Sequence, residues 1–287
     1  MPGSDLNETA ENPGLPGYQS SPLLAGAGFR HAFFTRLGGV SEGPFESLSF
    51  STAVGDDPSR VDENLRRAAA LLGVDAANVL YLSQVHGREA LFYRTTERRE
   101  NLITLQGDAI GGTSPRAAYG VRSADCIPIL VADQTSGAVM AIHAGWRGVV
   151  AGVIEAGVAR LREGIGSPGH LLAAIGPHIS RAAFEVSDEV AAELQAVSAA
   201  APAIERRPDG ARPHVDLRLI ATHQLLGLGL AAGAIDQVGG CTVLDPHHYF
   251  SFRRDGKRSG RHLSAIVPRS EATTRNPACR AAGFDRC

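Results

Sequence analysis

The stretch that most constrains the fold is Tyr119–Gly148, which reads YGVRSADCIPILVADQTSGAVMAIHAGWRG. The apolar runs Cys126–Ala132 and Ala138–Ile142 are short, rich in Ile, Val and Leu, and joined by turn residues. This pattern is typical of two strands with a tight connection. If the strands pair antiparallel, the start of the first lies beside the end of the second. The Cys126 thiol and the His143 imidazole would then face one point.

A helix is predicted directly after this pair of strands. Val149, Val153, Ile154 and Leu161 share one helical face in the segment that follows the sequence AlaGlyTrpArgGly. His143 would therefore lie at a strand-to-helix junction, beside the free N–H groups of a helix N-terminus, which favour anions.

Strands and helices alternate along the rest of the chain, which predicts an α/β layered fold. Asp57 and Pro58 suit the start of a helix that ends at Gly73, and a strand over Asn78–Leu82 leads to His86. Further strands are predicted over Leu171–Ile175, Gly240–Leu244 and Leu263–Val267, and further helices over Ser187–Val197 and from Asp216 to about Leu228.

Composition limits the class of protein. The formal net charge of -2 gives no reason to expect nucleic acid or an anionic membrane as a partner. No apolar run approaches the ~20 residues that cross a bilayer, and the first residues do not resemble a secretory signal, so we expect a cytoplasmic protein. We expect residues 1–24 to be a flexible lead-in, 25–268 one catalytic domain and 269–287 a mobile tail. The oligomeric state stays open.

Two histidines and a cysteine at strand ends form a candidate three-ligand metal site. Catalytic zinc commonly has three protein ligands and an open fourth position, and His86, Cys126 and His143 offer that set. Asp125, beside the cysteine, could orient a ligand. The alternative is a buried core cysteine with two histidines that merely end strands, and spacing alone favours this alternative.

Six motifs add a resemblance to a known family. They are FFTRLGGVSEGPF, LSQVHG, RSADCIPILVAD, AIHAGWRG, AAIGPHI and FSFRRDG followed by SGR, in that order from about Phe33 to Val267. In these motifs the chain resembles the laccase-domain proteins, the YfiH-type family also called polyphenol oxidase or purine nucleoside phosphorylase. The resemblance implies a single α/β domain with β-sheets packed between helices, in the layer order α/β/β/α.

The resemblance also implies functional residues. The histidine of QVHG, the cysteine of ADC and the histidine of HAGWRG form the zinc site of the family, and here they are His86, Cys126 and His143. The arginine of the RDG motif, linked to activity in the family, corresponds to Arg254. The family's N-terminal arginine corresponds to Arg36, which spacing alone would place on the surface.

The family names imply two different chemistries, copper-dependent oxidation of phenols and phosphorolysis of purine nucleosides. The residues of the chain favour one over the other. A multicopper oxidase needs about ten copper-binding histidines, largely in His-x-His pairs. This chain has 10 histidines in total and no His-x-His pair; the only close pair is the adjacent His247 and His248. A copper site with an axial methionine is also disfavoured, because Met140 and His143 point to opposite faces of one strand. Copper-dependent polyphenol oxidation therefore stays the alternative, with copper in place of zinc.

Nucleoside phosphorolysis fits the residues better. Arg36, Arg147 and Arg254 are candidates to bind phosphate or substrate. Candidate walls for the purine are Phe34, Phe45 and Trp146. We expect a purine nucleoside phosphorylase for adenosine, inosine and methylthioadenosine, with Cys126, His86, His143 and Arg254 in catalysis and zinc supporting adenosine deamination. A peptidoglycan-editing hydrolase and a non-enzymatic binding protein are the remaining alternatives.

Overall fold

The computed structural model of the chain describes residues 17–198, 201–206 and 210–270. Within those residues the strands are β1 (Tyr18–Gln19), β2 (His31–Phe34), β3 (Val79–Leu80), β4 (Ala90–Tyr93), β5 (Ala109–Gly112), β6 (Ala118–Ser123), β7 (Ile127–Asp133), β8 (Val139–Ala144), β9 (Leu171–Ile175), β10 (Ile204–Glu205), β11 (His214–Val215), β12 (Ile235–Gln237) and β13 (His262–Ile266). The helices are α1 (Pro22–Gly26), α2 (Pro58–Leu72), α3 (Arg99–Leu102), α4 (Trp146–Ala151), α5 (Val153–Ile165), α6 (Asp188–Ala196), α7 (Leu217–Gly227) and α8 (Phe252–Asp255).

Two mixed sheets dominate the structure. One has five strands in the order β1-β2-β13-β6-β3, and the other has six in the order β12-β9-β7-β8-β5-β4. A short two-stranded sheet joins β10 and β11. The central pairs β6–β13 and β7–β8 are antiparallel, whereas β4 and β12 run parallel to their neighbours at the two edges of the larger sheet.

Three apolar clusters define four layers. The first lies between the two sheets, where side chains such as Tyr119 and Leu130 pack against each other. The second fills the outer face of the larger sheet, beneath α5 and α7, and the third fills the outer face of the smaller sheet, beneath α2. The layer order is therefore helices, sheet, sheet, helices, which confirms the α/β fold class expected from the sequence.

The hairpin of β7 and β8 is confirmed as an antiparallel pair. Its register places Pro128 opposite His143, so that Cys126, just before β7, lies beside the end of β8. The tight turn is held by Asp133, whose carboxylate accepts hydrogen bonds from the backbone N–H and hydroxyl of Ser136. Gly137 then adopts a left-handed φ of 75°, which favours glycine.

The helix predictions are mostly confirmed, with one correction. α2 begins after an Asp57 cap and ends at Gly73, which adopts the left-handed conformation. The single helix predicted after His143 is instead two helices, α4 and α5. Gly152 separates them because its φ of 85° ends the first helix, where its N–H donates to the carbonyls of Gly148 and Val149.

Two other expectations need correction. No strand forms over Gly240–Leu244, which makes only an isolated bridge at Cys241 within a turn, and the neighbouring strand is β12 instead.

The folded part starts before residue 25, because β1 pairs with β2 and Leu24 is fully buried in α1. It also extends past residue 268, since the Arg269 guanidinium packs over the Phe29 ring. Residues 1–16 and 271–287 lie outside the described residues. No helix among the described residues is long and apolar enough to span a membrane.

One buried histidine, His262, should make the unfolding free energy depend on pH. His262 is 3% exposed, and its Nε2 accepts a hydrogen bond from the backbone N–H of Phe250. Burial, helped by nearby arginines, lowers the pKa of His262 from 6.5 to about 3. The unfolded chain therefore binds a proton below pH 6.5 that the folded chain does not bind, so acid destabilises the fold.

We expect the substitution His262→Leu to remove this pH dependence. Between about pH 8 and about pH 5 the wild type should lose about 2 kcal/mol of unfolding free energy through His262, and the variant should not. The difference in unfolding free energy between wild type and variant, measured by urea unfolding, should therefore be about 2 kcal/mol smaller at about pH 5 than at about pH 8. His223→Leu, in an exposed histidine of α7, is the control and should show the same difference at both values. An equal deficit for His262→Leu at both values would contradict the prediction.

Candidate active site and metal centre

The structure brings the three candidate metal ligands together. His86 lies in the loop after β3, Cys126 immediately precedes β7, and His143 lies near the end of β8. Their ligand atoms all lie within 4.8 Å of one another. The two imidazole rings meet edge to face, with their centroids 4.9 Å apart. Nitrogen and sulfur ligands lie about 2.0–2.3 Å from zinc, so a small side-chain adjustment lets all three reach one ion.

A buried carboxylate holds the two histidines in place. Asp108, which precedes β5 and is fully buried, accepts a hydrogen bond of 2.8 Å from Nδ1 of His143. It also accepts the backbone N–H groups of Val85, His86 and Gly87 at 2.7–3.2 Å. Asp125, which was expected to orient a ligand, makes its side-chain hydrogen bonds to Thr242 and Arg253 instead of to the two histidines. The sequence signal for Asp108 was only a glycine-rich stretch, so this residue was missed.

Two residues at the site have unusual backbone geometry. His86 has a φ of 59° and Asp125 a φ of 96°, and they are the non-glycine residues of the described chain with positive φ. Such conformations concentrate at functional sites, where neighbouring contacts stabilise them. Asp125 is fixed by hydrogen bonds of 2.6 Å from the Thr242 hydroxyl and from the backbone N–H of Arg253.

The electrostatics of the ligands favour metal binding. Burial raises the pKa of the Cys126 thiol, but the adjacent His143 and His86 imidazoles outweigh it and bring the pKa below its ordinary value. Burial lowers the pKa of His143, whereas Cys126 and Asp108 outweigh it and raise the pKa. The pair therefore favours a thiolate, which is the form of cysteine that binds metals.

Gly145 allows the ligands to approach. A Cβ atom at this position would lie 2.8 Å from Sγ of Cys126 and 2.9 Å from Cδ2 of His86. Only glycine leaves this space free. Two imidazoles and one thiolate, with room beside them, form a donor set that fits zinc and also fits copper.

A cleft of about 660 Å³ opens over the ligands. Its lining includes the aromatic residues Trp146, Phe184 and Phe252 and the arginines Arg122, Arg147, Arg253 and Arg261. Each arginine lies over an aromatic ring, at 4.2 Å from the ring centroid for Arg122 on Tyr81 and for Arg147 on Trp146. Arg253 lies over Phe184 and Arg261 over Phe252, at 5.5 and 5.8 Å. Stacking orients the planar guanidinium groups. Both Nη atoms of Arg122 donate to the carbonyls of Phe50 and Leu82, whereas Arg253 and Arg261 use only Nη1 in this way.

Of the three arginines expected from the sequence, the structure brings only Arg147 into the cleft. Its guanidinium makes no hydrogen bond to any described residue. Arg254 points away, and five hydrogen bonds to Asp255 and to the carbonyls of Thr242, Val243 and Tyr249 occupy its N–H groups.

Arg36 also lies outside the cleft, where it donates to the carbonyls of Glu46 and Pro246. Among the expected aromatic walls, Trp146 lines the cleft, whereas Phe34 and Phe45 are buried elsewhere. The missed arginines had one signal, because each is part of a quoted motif: RSADCIPILVAD begins with Arg122, FSFRRDG contains Arg253 and SGR ends with Arg261.

Comparisons with known proteins show the family of the chain. The family model described as multi-copper polyphenol oxidoreductase laccase matches residues 30–269. The chain belongs to this family. It is 35% identical over 263 residues to a Deinococcus radiodurans protein named purine nucleoside phosphorylase, covering 91% of this chain and 97% of the relative. It is 37% identical over 235 residues to purine nucleoside phosphorylase YfiH of Escherichia coli, covering 81% of this chain and 90% of the relative.

Solved structures show the same fold. YlmD from Geobacillus stearothermophilus superposes with a TM-score of 0.81 at 29% identity, covering 88% of this chain and 97% of that one. The YfiH protein of Bacillus licheniformis gives a TM-score of 0.83 over 90% of this chain and 100% of that one; at 24% identity it supports the fold alone.

The described residues of this family member offer too few metal-binding side chains for a cluster of copper ions. Among the described residues, His86, Cys126 and His143 are the one group of at least three His, Cys, Asp or Glu side chains that could hold a metal. A cluster of coppers needs several such groups close together. The site therefore fits one ion rather than the set that the family description suggests.

We expect the substitution Gly145→Ala to weaken metal binding. The added methyl group would push Sγ of Cys126 away from the His86 ring, so zinc affinity in a competition assay with a chromophoric chelator should fall at least tenfold. Gly227→Ala in α7, where a Cβ meets nothing within 4 Å, is the control and should leave zinc affinity unchanged. Wild-type affinity in Gly145→Ala would show that the close approach has no role.

Proposed function

We propose that the protein is a purine nucleoside phosphorylase whose substrates include adenosine, inosine and methylthioadenosine. The observation that carries the proposal is the cleft, where the His86, Cys126 and His143 group, three aromatic rings and four stacked arginines face one volume. The names of the relatives at 35% and 37% identity support the same assignment. Small molecules are the proposed partners, and the cytoplasm is the proposed location.

The arginines supply the phosphate site in this proposal. Phosphate must be held against the anomeric carbon of ribose, and guanidinium N–H groups match phosphate oxygens. Arg253 and Arg261 use only Nη1 in hydrogen bonds to backbone carbonyls, and Arg147 uses none of its N–H groups. Donors on all three arginines are therefore available to the phosphate.

The proposed reaction is a displacement at the ribose. A phosphate oxygen forms a bond to the anomeric carbon while the bond from that carbon to the purine nitrogen breaks. The electron pair goes to the purine, which takes up a proton from water in the open cleft. Trp146, Phe184 and Phe252 give the purine a flat apolar surface, which stabilises the bound base by stacking.

We propose zinc for the metal centre, with copper as the alternative. His86, Cys126 and His143 would hold the ion, and Asp108 would keep Nδ1 of His143 protonated so that Nε2 faces the metal. When bound, zinc would supply the activated water needed to replace the amino group of adenosine. Adenosine deamination is therefore proposed as a second activity of the same cleft.

The first test is the reaction itself. Pure protein with inosine and phosphate should release hypoxanthine and ribose 1-phosphate in equal amounts, measured by chromatography. Cys126→Ala should lose at least tenfold in kcat/KM, because it removes the thiolate that lines the cleft beside His86 and His143. No product from the wild type, or a Cys126→Ala variant equal to the wild type, would sink the proposal.

Arg147→Gln tests the phosphate site. We expect its KM for phosphate to rise at least tenfold, since losing a hydrogen bond to a charged group costs about 1.5–3 kcal/mol. The fold should be unaffected, because Arg147 is exposed. Arg160→Gln on α5, whose guanidinium pairs with Glu163 outside the cleft, is the matched control. A KM equal to that of this control would remove Arg147 from the phosphate site.

Metal removal tests the second activity. Protein stripped with a chelator should stop releasing ammonia from adenosine, and added zinc should restore the release. The same stripped protein should be assayed for inosine phosphorolysis, which shows whether the two activities depend on the metal equally. Ammonia release that persists at the full rate in stripped protein would rule out the zinc-dependent deamination.

A further inference from the structure

We infer that Asp108 is a positioning residue that holds both imidazoles of the metal centre in ligand geometry. The inference rests on the zinc site proposed above for its metal readout, but not for its structural readout. It assigns to one buried carboxylate the task of joining a loop to a strand end.

Asp108 holds the loop of His86 through backbone hydrogen bonds. His86 has a φ of 59°, and a left-handed residue turns successive backbone N–H groups toward one point. The N–H groups of Val85 and Gly87 reach Oδ2 of Asp108 at 3.2 and 2.7 Å, and that of His86 reaches Oδ1 at 3.0 Å. An anionic acceptor at that point stabilises the conformation that aims the His86 ring at Cys126.

Asp108 also holds His143, near the end of β8, through two hydrogen bonds. Nδ1 of His143 donates to Oδ1 of Asp108 at 2.8 Å, and the backbone N–H of His143 donates to the Asp108 carbonyl at 2.7 Å. With the proton held on Nδ1, Nε2 is the nitrogen that faces Cys126 and a metal. His143 is 3% exposed, so this contact is shielded from solvent.

The carboxylate has no spare acceptor capacity. Each oxygen of Asp108 accepts two hydrogen bonds, and four is about the capacity of a carboxylate. An asparagine would present an NH₂ group where two donors already point. The pairing of β5 with β8, with Ala109 opposite Ile142, fixes Asp108 in the larger sheet. The loop therefore takes its position from the sheet through this one side chain.

The chain offers a matched control at the other end of the same hairpin. Asp133 is 1% exposed and accepts hydrogen bonds from the backbone N–H and hydroxyl of Ser136 and from the backbone N–H of His170. Asp133→Asn removes a buried, loop-holding carboxylate of the same kind, but away from the metal ligands. It separates an effect on stability from an effect on ligand geometry.

The experiment compares wild type, Asp108→Asn and Asp133→Asn by three measurements. Proton–nitrogen NMR of metal-free protein reports the Nδ1–H of His143 as a downfield, slowly exchanging resonance. Chelator competition reports the affinity for zinc alone, and thermal unfolding reports stability. Both variants should unfold at lower temperature than the wild type. Only Asp108→Asn should lose the Nδ1–H resonance and bind zinc 10–100-fold more weakly.

Several results would overturn the inference. One is a metal-free wild type without a protected Nδ1–H on His143, which needs no variant to fold. Others are Asp108→Asn with wild-type zinc affinity, or Asp133→Asn weakened in zinc binding to the same degree. A wild type that shows the protected proton but binds no zinc would remove the zinc proposal and leave the positioning of His143 by Asp108 standing.

Discussion

The pairing of β7 with β8 is the constraint on which the rest of the structure depends. Every residue of both strands is buried, because helices cover one face and the second sheet covers the other. Alternate residues therefore enter different cores: Ile129 packs beneath the helices and Leu130 packs between the sheets. A slip by one residue would exchange these two sets, so the register is strongly specified. That register places His143 opposite Pro128 and beside Cys126.

Residue patterns over a few positions predicted the elements that carry the site, but not the contacts between distant segments. The hairpin and the helix α2 could be found because turns and caps leave residue-type signals over a few positions. Spacing alone did not favour His86, Cys126 and His143 as ligands; the resemblance to the family selected them. The role of Asp108 could not be found in this way. Its partners are backbone N–H groups 21–23 residues earlier and an imidazole 35 residues later. Backbone donors carry no residue-type signal, so only the folded sheet shows this contact.

The arginines show a different limit of sequence reasoning. The RDG motif points to Arg254, whereas the cleft is lined by its neighbour Arg253. Successive residues in a helical turn such as α8 point about 100° apart, so a motif cannot choose between them. Arg254 instead ties three backbone carbonyls around Thr242 and Tyr249 to α8. A loss of activity on its replacement would then follow from displacement of Phe252 and Arg253.

Hydrogen bonds to a carboxylate stabilise a backbone segment of positive φ on both sides of the candidate metal centre. A residue held at an unfavourable φ costs about 1–3 kcal/mol, and a hydrogen bond to a charged group contributes about 1.5–3 kcal/mol. Asp108 supplies three such bonds to the loop of His86, so the contacts exceed the cost. The unfavourable φ of Asp125 is stabilised by the hydrogen bonds that its carboxylate accepts from the Thr242 hydroxyl and the backbone N–H of Arg253. Both strained residues are thereby bonded to distant segments: the loop of His86 to Asp108, and Asp125, which precedes Cys126, to Thr242 and the backbone of Arg253.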